Sequence, residues 1–249
     1  MLSSDNSARC RSGVPGLDDV LGGGFPRGRC ILVRGDCGTG KTILGAQFIH
    51  NGIVQYKEPG VLVLLEQNAS HFKKDMLSFG FDIKSLQESG QLVLIDASLS
   101  RVNLEKTNAS EAYLHNTPKT PFCVSDVVDY IVAAAKETGS TRVAIDNLPA
   151  LDNLLKKVET TRDDIIYMSG KLRSVGLTTL LICDNLKNRV DDIENYVSDG
   201  VISMEYKSSG PDTGRCIMVQ KMRGTRHSEH IHPIKICEGV GIKVFNSNI

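Results

Sequence analysis

The chain has 249 residues, 41% of them apolar, which suits one large α/β domain or two small ones of ordinary globular composition. Lysine plus arginine equals aspartate plus glutamate at 29 each, which excludes a global basic field for holding nucleic acid and leaves only a local basic groove open. The seven cysteines form no Cys-x-x-Cys pair, no apolar run reaches about 18 residues, and the polar N-terminus lacks an apolar signal core, so neither zinc nor dithiol chemistry is suggested, no membrane span is expected, and a cytoplasmic location is expected.

Residues 1–11 read as a polar tail, and 12–249 as a single domain. In Ser12 to Gly28, Leu17, Val20 and Leu21 make a short apolar face of one or two helical turns, closed by Gly22-Gly23-Gly24. Cys30 to Arg34 is a short buried strand. The next stretch, Gly35-Asp36-Cys37-Gly38-Thr39-Gly40-Lys41-Thr42, fits G-x-x-x-x-G-K-[ST], a phosphate-binding loop. A polyphosphate needs several backbone N–H donors on a tight concave turn, and small residues let the chain come that close. Lys41 brings a positive charge to the outer phosphates, and the Thr42 hydroxyl can ligate Mg²⁺. Thr42 to His50 reads as a helix, whose N-terminus adds positive potential where the phosphates sit. Cys37 inside this loop argues for a reducing compartment, since an oxidised thiol there would crowd a ligand.

Val61 to Leu65 is a second apolar strand with Glu66 at its carboxyl end, where parallel sheets collect ligands. A carboxylate there can orient and deprotonate an attacking water. Ser70 to Phe79 has Phe72, Met76 and Phe79 spaced for one helix face, and Gln91 to Ala97 is a further strand. Ser98 to Pro121 is polar, a surface loop or an insertion. Ser125 to Thr138 reads as a helix with Ser125 as N-cap, a buried stripe of Val128, Ile131, Val132 and Ala135, and Gly139 as its stop. Arg142-Val-Ala-Ile-Asp146 is an apolar strand ending in an acid, the Walker B pattern, in which Asp146 would hold the Mg²⁺ shell. Thr161 to Ser174 is a helix with Ile165, Met168, Leu172 and Val175 on one face, and Thr178 to Asp184 is the next strand.

Asn185 to Asn195 mixes Lys187 and Arg189 with Asp191, Asp192 and Glu194 and has no aromatic, which is a poor platform for nucleic acid. Gly200 to Tyr206 and Arg215 to Met222 flank a turn-rich loop and read as a β-hairpin. Lys221-Met-Arg223-Gly-Thr-Arg-His227 follows; taken alone it is either a basic strand end on the surface or a pair of cations for a phosphate. Ile231 to Phe245 is a last hairpin around Glu238 to Gly241, and His227, His230 and His232 lack the spaced acidic or Cys partners of a metal site.

The run S-G-V-P-G-L-D-D-V-L-G-G-G-F-P-R-G followed by G-D-C-G-T-G-K-T resembles the opening of KaiC-like ATPases, a branch of the RecA-like P-loop superfamily, and the resemblance extends from Arg11 to Val244. It implies a RecA-like α/β fold: a mostly parallel central sheet with helices on both faces and antiparallel hairpins at the C-terminal end. It further implies an ATPase with ATP and Mg as cofactors, Gly35 to Thr42 on the phosphates, Thr42 and Asp146 on the metal, and Lys41 and Glu66 in catalysis. The family forms rings with ATP between subunits, so a homohexamer acting in regulation or signalling is expected. In the similar K-x-R-G-[TS]-x-H stretch, Lys221 and Arg223 would reach the γ-phosphate held by the neighbouring subunit.

Four departures stand out. The family has a second glutamate after Glu66, and here Gln67 can position a water but cannot take its proton. Asn147 replaces a common serine, and Ile182-Cys183 replaces hydroxyl-bearing residues. Asn195 and Tyr196 stand near the positions where a member of this family phosphorylates its own adjacent Ser and Thr, so no self-phosphorylation of that type is expected. The alternatives are a nucleotide-gated binding module with little turnover, favoured by Gln67, and a DNA-binding ATPase, disfavoured because Asn185 to Asn195 is neither basic nor aromatic.

Overall fold

A computed structural model describes residues 9–97, 123–151, 162–184, 198–209 and 212–246. In chain order the elements are β1 (Arg9–Cys10), α1 (Leu17–Val20), β2 (Phe25–Pro26), β3 (Cys30–Gly35), α2 (Lys41–Tyr56), β4 (Gly60–Leu64), α3 (Ala69–Leu77), α4 (Ile83–Glu88) and β5 (Leu92–Asp96). They continue with α5 (Val124–Thr138), β6 (Arg142–Asp146), α6 (Arg162–Ser174), β7 (Thr178–Asp184), β8 (Gly200–Ser209), β9 (Asp212–Met222), β10 (His232–Cys237) and β11 (Gly241–Val244).

Every residue of β4 and β6 is buried, as continuous apolar runs must be when helices cover both faces of a parallel sheet. Among the described residues one sheet runs in the order β11-β10-β9-β8-β3-β7-β6-β4-β5. Strands β8 to β5 in that order are parallel, and β9, β10 and β11 are antiparallel. β3 lies between β7 and β8, and the chain then crosses past β7 and β6 to reach β4. Such a sheet opens a crevice at the carboxyl ends of its strands. The RecA-like expectation of a mostly parallel sheet with C-terminal antiparallel hairpins is met.

Two apolar cores follow. Leu44, Phe48 and Ile49 of α2 pack with Phe72 and Met76 of α3 on one face. Val128 and Ile131 of α5 pack with Met168 and Leu172 of α6 on the other. Buried charges are paired at the amino ends of the parallel strands. Arg142 is fully buried; its Nε donates to Glu58 Oε2 at 2.6 Å, and Glu58 also pairs with Arg27. Asp199 accepts from Arg29 (3.1 Å), from Arg173 (3.5 Å) and from the Cys30 N–H (3.2 Å).

The sequence reading departs from the structure at element ends. Arg9 and Cys10, assigned to the polar tail, pair as β1 with β2, because Cys10 buries completely and Arg9 donates to Thr225 Oγ1. α2 runs on to Tyr56. α4 was not expected, since only Ile83 of it is buried and leaves no periodic signal. The N-cap of α5 is Cys123, not Ser125, because Asp126 accepts from the Cys123 N–H at 2.8 Å. Val175 lies beyond α6 and is exposed.

Candidate functional site

The glycine-rich loop leaves β3 at Gly35 and enters α2 at Lys41, so it lies at the central crevice. Its shape needs small residues: a Cβ on Gly35 would sit 2.1 Å from the Met204 carbonyl, and Gly40 has φ 105°. Thr39 is buried and its Oγ1 donates to the Asp36 carbonyl at 2.8 Å, which holds the turn closed. Lys41 is only 7% exposed, and its Nζ donates to the Asp36 carbonyl at 2.9 Å and to Asp184 Oδ1 at 2.8 Å. Cys37 is exposed.

Three neighbouring strands bring acids to the same edge. Glu66 follows β4, Asp146 ends β6 and Asp184 ends β7. The Leu65 N–H donates to the Asp146 carbonyl at 2.7 Å, fixing the turn that carries Glu66 to the end of β6. Burial pushes the Asp146 carboxyl up to about 6; the Thr42 hydroxyl donating to it and the nearby Lys41 pull it down, and Asp184 and Glu66 push it further up. Asn147 Nδ2 donates to Asp184 Oδ2 at 2.8 Å and reaches Glu66 Oε2 at 3.4 Å. The Thr42 hydroxyl thus faces Asp146, and Glu66 stands in the same cluster.

Among the described residues no group of three or more His, Cys, Asp or Glu side chains is arranged to hold a metal ion. Mg²⁺ needs less: one or two protein oxygens, with waters and phosphates filling its shell. A hydroxyl facing a buried carboxylate, at the mouth of a phosphate loop, fits that demand.

Gln67 does not join the cluster; its Nε2 donates to Asp75 of α3 at 3.1 Å. Lys221 and Arg223 are also elsewhere. Met222 pairs with Gly200, Gly200 with Ile31, and Gly35 with Met204, so these cations lie at the amino end of β3. At about 3.3 Å per residue, that is roughly 13 Å below the start of the loop. Neither can serve the phosphates of its own chain. Lys221 Nζ donates to the Ser198 carbonyl at 2.8 Å, and Arg223 is exposed, with its N–H on the Asp199 carbonyl. Burial and then Arg223 lower the Lys221 ammonium below its ordinary value.

Four residues were missed by the sequence reading as parts of this site: Asp184, Asn147, Arg215 and Tyr206. Arg215 Nε and Tyr206 Oη both donate to the Gly38 carbonyl, at 3.0 and 2.8 Å, and the guanidinium lies 5.2 Å from the Tyr206 ring centroid. A strand-end acid was the available signal for Asp184; nothing local marks Arg215. Residues 98–121, the 185–195 segment, Asn195 and Tyr196 lie outside the described residues. None of the described helices is long and apolar enough to cross a membrane.

Comparison with known proteins agrees with this geometry. A family model for the KaiC ATPase matches residues 10–249. A circadian clock oscillator protein KaiC of Thermostichus vulcanus is 31% identical over 237 residues, covering 92% of this chain and 43% of its own length. The chain thus spans less than half of that relative. A UPF0273 protein of Methanocaldococcus jannaschii is also 31% identical over 237 residues, covering 93% of this chain and 95% of its own length. The crystal structure of a KaiC-like protein from the archaeon Pyrococcus horikoshii superposes with a TM-score of 0.80 at 30% identity, over 96% of this chain and 99% of that one.

Proposed function

The chain belongs to the KaiC ATPase family, and from that premise we propose that it binds and hydrolyses ATP with Mg²⁺ in a ring whose active sites are shared between subunits. The observation that carries this reading is the separation of its two cationic groups. Lys41 sits at the carboxyl end of β3 inside the glycine-rich loop, whereas Lys221 and Arg223 lie at the amino end. A closed ring joins two different surfaces of the chain at each interface, so a neighbour could bring Lys221 and Arg223 to a loop that they do not reach within their own subunit.

In this reading Gly35, Asp36, Cys37, Gly38, Thr39 and Gly40 cradle the phosphates with backbone donors, and Lys41 offsets their charge. Thr42 and Asp146 hold Mg²⁺, which when bound neutralises charge on the outer phosphate oxygens. Glu66 takes the proton of the attacking water, and Lys221 and Arg223 of the neighbour offset charge that develops in transfer. Turnover is slow, because Gln67 is held by Asp75 and supplies no second base. The role is regulatory, one domain takes in residues 12–249 together with the strand Arg9–Cys10, the location is cytoplasmic, and nucleic acid is not the partner. The test is light scattering after size exclusion, with and without Mg-ATP, on wild type and Lys41→Ala. A nucleotide-dependent hexamer in wild type and none in the mutant supports the reading; a monomer under both conditions contradicts it.

A further inference from the structure

We propose that Asp184 is the resting partner of Lys41 and competes with the nucleotide's outer phosphates for it, so that its carboxylate sets how tightly the site takes nucleotide. The inference rests on the nucleotide-site reading above. Lys41 is 7% exposed and its ammonium is already engaged, by Asp184 Oδ1 at 2.8 Å and the Asp36 carbonyl at 2.9 Å. One Asp184 oxygen thus gives Lys41 a charge-assisted contact of the kind a phosphate oxygen would give.

Asp184 is held for this. Its second oxygen accepts from Asn147 Nδ2 at 2.8 Å, and Asn147 is itself 7% exposed and reaches Glu66 Oε2 at 3.4 Å. The Asn147 Oδ1 atom is buried with no hydrogen-bond partner, so the side chain is oriented by the two carboxylates and not by the surrounding fold. A merely structural role for the Lys41–Asp184 pair fits poorly. The backbone of β7 is already paired along its length with β3, and the Asp184 side chain keeps 40% of its surface exposed at the mouth of the crevice.

Binding then becomes an exchange. Lys41 leaves one anion for another, and the released carboxylate stays beside the phosphates, where like charge opposes them until a divalent cation is present. Removing the carboxylate should therefore tighten nucleotide binding, most clearly without Mg²⁺, whereas a residue recruited for binding would weaken it when removed.

The experiment is calorimetric titration of the full chain with ATP in EDTA, then with Mg²⁺. Asp184→Asn should bind about two- to fivefold tighter than wild type in EDTA, the range for a partly exposed ion pair, and the gain should shrink with Mg²⁺. Asp184→Ala, which cannot turn an oxygen to Lys41, should gain at least as much. Glu66→Gln removes the same charge from the same cluster without freeing Lys41, and it should gain less. Equal or weaker binding by both Asp184 variants, or a gain no larger than that of Glu66→Gln, overturns the inference and leaves the nucleotide site standing. A wild-type chain that binds no ATP with or without Mg²⁺ overturns the site reading and this inference with it.

Discussion

The two ends of the central sheet use the same residue types to opposite effect. At the amino ends each paired carboxylate has an excess of cations: Glu58 lies between Arg27 and Arg142, and Asp199 between Arg29 and Arg173. At the carboxyl ends Glu66, Asp146 and Asp184 converge around Lys41. Burial alone would raise the Glu58 carboxyl, but Arg27 and Arg142 more than reverse this and leave it lowered. Burial raises Asp146 to about 6, and Lys41 does not reverse it. The first end is complete without a ligand and holds strands in place. The second carries an excess of negative charge that a cation would relieve, as binding sites often do.

Catalysis should break this comparison most visibly. Glu66→Gln keeps the shape of the cluster but removes the base, so phosphate release should fall about 10²- to 10⁴-fold with little change in ATP affinity. Unimpaired release would remove Glu66 from that role.

Glu58→Gln tests the amino end. Fully buried Arg142 would keep its bonds to the Arg11 and Phe48 carbonyls but lose its counter-ion, at a cost of about 3 kcal/mol, the lower end for a buried pair because Glu58 is partly exposed. Denaturant titration should find that loss while ATP binding per folded molecule stays unchanged. Because the folded Glu58 carboxyl is lowered, its contribution is present above the ordinary value of 4.5 and is lost as pH falls through the folded value. A mutant as stable as wild type at neutral pH would contradict this.

Asp146 should behave with the opposite sign. Its folded value of about 6 lies above the ordinary 3.8, so between those pH values the folded chain holds a proton that the unfolded chain releases. Without Mg²⁺, stability should fall as pH rises from 3.8 toward 6. Asp146→Asn should flatten that slope and gain about 3 kcal/mol at pH 7. An unchanged slope in thermal melts across that range would show that burial is not the dominant influence on this carboxyl.

Legibility in the sequence follows the same division. The glycine-rich loop, Thr42 and the strand-end acids Glu66 and Asp146 were readable because each is a local pattern: small residues at fixed spacing, or an acid closing an apolar run. Asp184 and Asn147 gain meaning only from strand order, since β7 inserts between β3 and β6 although it follows β6 in the chain. Arg215 reaches Gly38 only because β8 and β9 fold back beside β3. The position of Lys221 and Arg223 at the opposite end likewise depends on the register of β9 against β8 and of β8 against β3. Spacing along the sequence carries none of this.

The shared site is the central claim, and mixing two defective chains tests it most directly. Lys41→Ala lacks the cation of the loop, and Arg223→Ala lacks the cation offered to a neighbour. Each alone should release phosphate very slowly, Arg223→Ala with nearly normal ATP affinity, since a trans cation acts mainly on the transition state. Mixed rings contain interfaces where an intact loop meets an intact Arg223, so phosphate release should recover in part. No recovery, with mixed rings shown to form by native mass spectrometry, would contradict an active site shared between subunits.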